Sequence, residues 1–251
     1  MLNRIISYIY LSFIAISSAF LFLIALLIWI ISVFFDKRLF ILHFYSCFWA
    51  SLYIWLMPAW SVTIRGKNNI KKKTYVVVSN HQSLLDILVA FRIFFHFKWV
   101  SKEEIFKIPF IGWNMRLNRY ISLVRGDRNS IIKMFDDCNK AIKKGSSVYI
   151  FPEGTRSRTR ELKQFKNGAF HLAQENKIPI LPVAISGTRE ALPKYSLNFH
   201  GKHPIIAEVL PEIPYENFAD LSIEDFANMV RNIISKNVNK NYQELENNGH
   251  F

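Results

Sequence analysis

From Ile5 to Phe35 the chain runs for 31 positions without a charged side chain. A helix that crosses a bilayer needs about 20 apolar residues, so a stretch this long belongs in a membrane. A cleaved signal peptide would carry an apolar region of only about 7 to 15 residues, too short to match. A second apolar stretch, Leu39 to Val62, has His43 as its only side chain able to become a cation, and its Trp49, Trp55 and Trp60 suit a membrane interface. Two spans is the simplest count. It would put Lys37 and Arg38 on the side opposite the rest of the chain, against the tendency of basic loops to stay cytoplasmic. A single span, or a helical pair dipping into one leaflet, removes that conflict. The division expected is therefore membrane-anchoring helices over 1–62 and a folded domain over 63–251.

The formal net charge is +13, and only Arg4, Asp36, Lys37 and Arg38 are charged among the first 38 residues. The excess base thus lies on the folded part. Such a balance attracts phosphate charge whatever carries it, and beside a membrane segment the reading favoured is anionic lipid or a phosphorylated substrate, not nucleic acid. Cys47 and Cys138 are the only cysteines, 91 residues apart, and the seven histidines (His43, His81, His96, His171, His200, His203, His250) contain no H-E-x-x-H pair. Neither a disulfide framework nor a metal site is suggested.

After Arg65 short apolar runs alternate with helical stretches. Tyr75 to Val78, Lys98 to Val100, Tyr120 to Val124, Val148 to Phe151 and Ile180 to Ile185 read as strands. Leu84 to Phe95, Ile131 to Lys143 (capped by Asn129 or Ser130, stopped by Gly145) and Ser222 to Val238 read as helices. This alternation predicts an α/β fold, a largely parallel sheet flanked by helices and preceded by membrane-embedded helices. The polar tail from Asn239 to Phe251 is expected to fray.

His81 directly follows the first of these strands, at the carboxyl edge where open α/β sheets bind ligands. Asp86 lies five residues on, a rotation of about 140° on a regular helix, so the two meet only if His81 sits outside the helix. Ser83 as N-cap would permit that, and would equally make Asp86 a capping carboxylate and nothing more. Phe151-Pro152-Glu153-Gly154-Thr155-Arg156-Ser157-Arg158 follows the strand ending at Phe151, on the same edge. In it Gly154 permits an unusual turn, Thr155 offers a hydroxyl and an amide, and Arg156 a planar fork suited to phosphate, although a solvated basic loop would read the same way.

Together these segments resemble the 1-acylglycerol-3-phosphate O-acyltransferases of the wider glycerophospholipid acyltransferase superfamily. Asn80-His81-Gln82-Ser83-Leu84-Leu85-Asp86 is similar to that family's first block. Lys102-Glu103-Glu104-Ile105 with Pro109, Gly112 and Trp113, then Tyr120 to Arg125, is similar to the second. Phe151 to Arg156 matches the third, Leu181-Pro182-Val183-Ala184-Ile185 resembles the fourth, and Phe165-Lys166-Asn167-Gly168-Ala169 resembles the segment that usually follows the third. The likeness covers about Arg65 to Pro214. One departure is Val124, where an Asp usually precedes the Arg of the second block; Asp127-Arg128 offers that pair three residues later.

The resemblance implies transfer of a fatty acyl chain from an acyl carrier protein or coenzyme A thioester to the sn-2 hydroxyl of lysophosphatidic acid, giving phosphatidic acid. His81 would be the general base and Asp86 its orienting carboxylate. Lys102, Arg125, Glu153, Gly154, Thr155 and Arg156 would hold the phosphate and glycerol. Neither cofactor nor metal is implied. No G-x-S-x-G elbow marks a nucleophilic serine, so no acyl-enzyme is needed. Backbone amides near Gln82 to Leu84 or beside Gly154 are the candidates for an oxyanion hole. The bilayer is an expected partner, and the expected location is the cytoplasmic face of an inner or internal membrane. The rivals are acylation of another lysolipid or of glycerol 3-phosphate, and a non-catalytic binder of anionic membranes.

Overall fold

The computed structural model describes residues 2–193 and 202–248, with side chains from Tyr8 onward. His200, His250 and the last three residues of the polar tail lie outside the described residues. The uncharged N-terminal run forms one helix, α1 (Leu2–Ser32), followed by α2 (Phe40–Trp55). Then come β1 (Trp60–Arg65), β2 (Val76–Ser79), α3 (Leu85–Phe91), β3 (Phe97–Lys102), α4 (Ile111–Leu117), β4 (Ile121–Leu123), α5 (Arg128–Lys143) and β5 (Ser147–Ile150). The chain continues through α6 (Gly168–Asn176), β6 (Ile180–Ser186), α7 (Thr188–Ala191), β7 (His203–Val209) and α8 (Ile223–Asn247).

All seven strands join one sheet in the order β1-β7-β6-β2-β5-β3-β4. Strands β6, β2, β5, β3 and β4 are mutually parallel, β7 runs antiparallel to β6, and β1 runs parallel to β7. Period-two alternation feeds a core on each face. Val77, Tyr149, Leu181, Val183 and Ile185 meet α3 residues Leu85, Val89 and Ala90 on one side. Val76, Val78, Val148, Ile180 and Ala184 meet α5, α6 and α8 on the other. Sheets covered on both faces read as continuous apolar runs, as these strands do.

Two strands escape the sequence reading. β1 begins inside the apolar stretch that ends at Val62, so the 62/63 division falls within a strand that pairs with β7 from Trp60↔His203 to Arg65↔Glu208. β7 opens on His203-Pro204, which masks its buried Ile205 to Ala207. Helix α3 stops at Phe91, short of Phe95, because the chain turns through Phe94 at φ 55°. Helix α5 is capped by Asp127, whose carboxylate accepts the Ser130 amide at 2.7 Å, not by Asn129 or Ser130. Helix α8 runs to Asn247 instead of fraying after Val238. Val230, Ile234, Val238, Tyr242 and Leu245, joined by Asn241, keep one buried stripe along it at helical spacing while Asn232, Lys236, Asn239 and Lys240 lie on the outer side.

Helices α1 and α2 pack as an antiparallel pair through Leu21, Ala25, Leu42, Trp49 and Tyr53. The turn between them lies against the sheet domain. The Arg38 carbonyl accepts Lys98 Nζ at 2.8 Å, and Arg38 Nη1 donates to the Gly145 carbonyl at 2.7 Å. Lys98 Nζ also donates to the Asn118 carbonyl at 2.8 Å, fastening the turn to the approach to β4. Near the other end, Tyr10 donates to the Tyr53 carbonyl at 2.6 Å and sets its ring edge-on to Trp60 of β1. Arg38 therefore lies against the sheet domain. Among the described helices α1 alone is long and apolar enough to cross a membrane, whereas the 16 residues of α2 reach about 24 Å, short of a hydrocarbon core of about 30 Å.

Candidate active site

Strand order brings the four sequence blocks to one edge. β2 lies between β6 and β5, and β3 follows β5, so the loops after β6, β2, β5 and β3 emerge side by side at the carboxyl ends. Asn80 locks the first block to the fourth: its Nδ2 donates to the Ile185 carbonyl at 2.7 Å and its Oδ1 accepts the Ile185 amide at 2.9 Å. The third block is fastened to the first by the Ser157 amide, which donates to the His81 carbonyl at 2.8 Å.

His81 sits outside α3, and its Nδ1 lies 2.9 Å from Asp86 Oδ2. That oxygen also accepts the amides of Gln82 at 2.7 Å and Ser83 at 2.8 Å. Asp86 thus gathers the two amides that lead into α3 as well as the His81 imidazole. The Ser83 hydroxyl does not cap in the usual sense; it accepts the Leu85 amide at 3.1 Å and donates to the Leu192 carbonyl at 2.6 Å. Asp86 is fully buried, while the His81 side chain keeps 12% of its surface exposed. The imidazole stacks on Phe151 at 4.1 Å and 16°. With acceptor Asp86 at Nδ1, that nitrogen carries the proton, and Nε2 has no hydrogen-bond partner among the described residues.

Asp86 Oδ1 takes a further bond that the sequence reading did not foresee, from the Thr188 hydroxyl at 2.5 Å. A hydroxyl one residue past the glycine that follows β6 was the available signal. Because Gln82 and Ser83 spend their amides on Asp86, and Gly154 donates its own to the Phe151 carbonyl at 3.0 Å, these three amides are not open oxyanion donors. The expected oxyanion donors narrow to the Leu84 amide and the neighbours of Gly154.

Glu153 is 3% exposed, and its two oxygens accept the amides of His81 at 2.7 Å and Lys163 at 3.0 Å. Burial pushes its carboxyl up to about 7, with the two amides opposing and the Asp86 charge adding to the rise. Gly154 adopts φ 69°, the left-handed region where a glycine is favoured. Thr155 is exposed, and Arg156 is half-buried with its carbonyl accepting Lys163 Nζ at 3.1 Å. Lys102 is the last residue of β3, beside the third block, and Arg125 stands exposed two residues beyond β4. Asp127 is occupied as the α5 cap, which leaves the Asp127-Arg128 pair a local structural reason to exist. A polar hollow of about 390 Å³, lined by Glu103, Arg116, Ser122, Asp127 and Lys133 among others, opens beside β4, not over His81.

Comparison with known proteins gives one family match, two relatives and one solved structure of the same fold. Residues 61–186 match the family model described as Acyltransferase. The chain is 35% identical over 190 residues to a chloroplastic 1-acyl-sn-glycerol-3-phosphate acyltransferase of Brassica napus, covering 75% of this chain and 54% of that protein. It is 40% identical over 181 residues to the 1-acyl-sn-glycerol-3-phosphate acyltransferase of Saccharomyces cerevisiae, covering 70% and 59%. The chain therefore spans little more than half the length of these curated relatives. Its fold is that of the crystal structure of the 1-acyl-sn-glycerophosphate (LPA) acyltransferase PlsC from Thermotoga maritima, with a TM-score of 0.76, 24% identity and 95% of each chain covered.

Proposed function

Because the chain belongs to the 1-acylglycerol-3-phosphate O-acyltransferase family, we propose that it acylates the sn-2 hydroxyl of lysophosphatidic acid from a thioester of acyl carrier protein or coenzyme A. The observation that carries this reading is the His81 imidazole, held at Nδ1 by buried Asp86 with Nε2 left for a substrate proton. Nε2 removes the hydroxyl proton as the oxygen attacks the thioester carbonyl, and Asp86 stabilises the imidazolium that forms. Collapse of the tetrahedral intermediate expels the thiolate, to which the imidazolium returns the proton. Arg156, with Gly154 and Thr155 shaping its loop, and Lys102 from the adjacent strand end supply the positive charge for the phosphate. Arg125 would contribute from the outer edge. Glu153 braces the His81 loop from below.

Residues 1–62 serve as the membrane anchor and 63–251 as the catalytic part, with β1 fastening one to the other. Ile16, Phe20, Leu23, Leu27, Ile30, Ile31, Phe34 and Phe35 of α1 and its turn stay exposed, and lipid is the medium that removes such a surface from water. Packing of α1 along α2, β1 and the sheet-bound turn favours a helical pair set into one leaflet, and the cytoplasmic face is the one we propose. The test is to supply the full chain in detergent with lysophosphatidic acid and each acyl donor. Phosphatidic acid is the expected product; product from glycerol 3-phosphate alone would move the chain to another acceptor, and none from any acceptor would leave only a membrane binder.

A further inference from the structure

Thr188 stands at the end of β6, where Gly187 turns the chain at φ 88° and a Cβ at Gly187 would lie 2.2 Å from the Pro204 carbonyl oxygen. The close approach fixes where the next residue begins. Thr188 is fully buried and its hydroxyl donates to Asp86 Oδ1, the one carboxylate oxygen that neither His81 nor the Gln82 and Ser83 amides use. The same short segment grips the His81 loop twice more. The Leu192 carbonyl accepts the Ser83 hydroxyl at 2.6 Å, and Glu190 shares Tyr242 of α8 with Gln82, whose Oε1 lies 3.0 Å from the Tyr242 hydroxyl.

A carboxylate held through one oxygen alone can swing about its Cβ–Cγ bond. Amides at Oδ2 restrain that oxygen, but the plane of the group is set only when Oδ1 is held as well. We propose that Thr188 is a positioning residue for the transfer: by fixing Asp86 Oδ1 it sets the carboxylate plane that aims the His81 imidazole at the acceptor hydroxyl. This rests on the reading of His81 as general base. Thr188 touches neither substrate, so its effect appears in turnover and not in acceptor affinity.

Thr188→Val keeps the shape and removes the donor. Expected is a fall in kcat of about 10- to 150-fold, the range for one hydrogen bond to a charged group, with KM for lysophosphatidic acid within about threefold of wild type. Thr188→Ser, which restores the hydroxyl, should recover kcat to within about threefold. In an Asp86→Asn background Thr188→Val should add little, because the residue it works through is already altered. Where valine does not fold, Thr188→Ala gives the same reading. A loss of kcat below about fivefold in the folded variant, a loss located in KM, or a serine variant as impaired as valine would overturn the inference. His81→Ala run alongside separates the two claims: if it too stays active, the base assignment itself has failed, and if it alone is dead, only the role of Thr188 has.

Discussion

The main-chain N–H of His81 donates to Glu153 Oε1 at 2.7 Å, while Glu153 Oε2 receives Lys163 N–H at 3.0 Å. A glutamate from the third block thus spans the His81 loop and the segment that leads to Lys163. At 3% exposure, with both oxygens on main-chain amides, its carboxyl holds the two segments together. Its role here is bracing, and its burial makes that role dependent on pH.

The Glu153 carboxyl is raised from 4.5 to about 7, so the folded protein holds this proton more tightly than the unfolded chain does. A raised pKa contributes stability that is fully present below about 4.5 and lost as pH climbs through about 7, by about 3 kcal/mol at most. Melting temperature followed from pH 4.5 to 8 should therefore fall more in wild type than in Glu153→Gln, which cannot ionise. Parallel curves would remove the burial argument.

Tyr242 ties α8 to the His81 loop and to α7 through Gln82 and Glu190. Tyr242→Phe keeps the ring packing and leaves both acceptors without that donor, at a cost of about 1 to 3 kcal/mol. A fall in Tm of at least about 2 °C is expected for a chain of this size. An unchanged Tm would mean the far half of α8 is not coupled to the site.

Much of this was legible in the sequence because it depended on local pattern. The strands announce themselves through runs such as Val76 to Val78, and His81 is set apart from Asp86 by the rotation a helix imposes. What was not legible depends on partners distant in the chain. Thr188 meets Asp86 across 102 residues, and β7 reverses direction beside β6 without any signal in its own Pro204-bearing segment. Helix α8 hid its length because surface Asn and Lys dilute a buried stripe that only the sheet face reveals.

Anchoring through α1 and α2 predicts that the full chain stays with membranes through a high-salt wash and needs detergent for release, because apolar burial is not screened by ions. Release by salt alone would show that the basic surface was the only hold.

Arg156 tests the phosphate assignment. A guanidinium grips two phosphate oxygens where an ammonium is a point charge, so Arg156→Lys should lower kcat/KM for lysophosphatidic acid by roughly 10- to 150-fold. Any slow activity on an acceptor lacking phosphate should change little. Equal losses on both acceptors would assign Arg156 to the fold or to the donor.

The most direct measurement is kcat for phosphatidic acid formation by His81→Ala, taken on protein whose Tm shows it folded. A base held by Asp86 at 2.9 Å predicts a loss of about 10²- to 10⁴-fold. A folded His81→Ala enzyme keeping more than half of wild-type turnover would contradict the account.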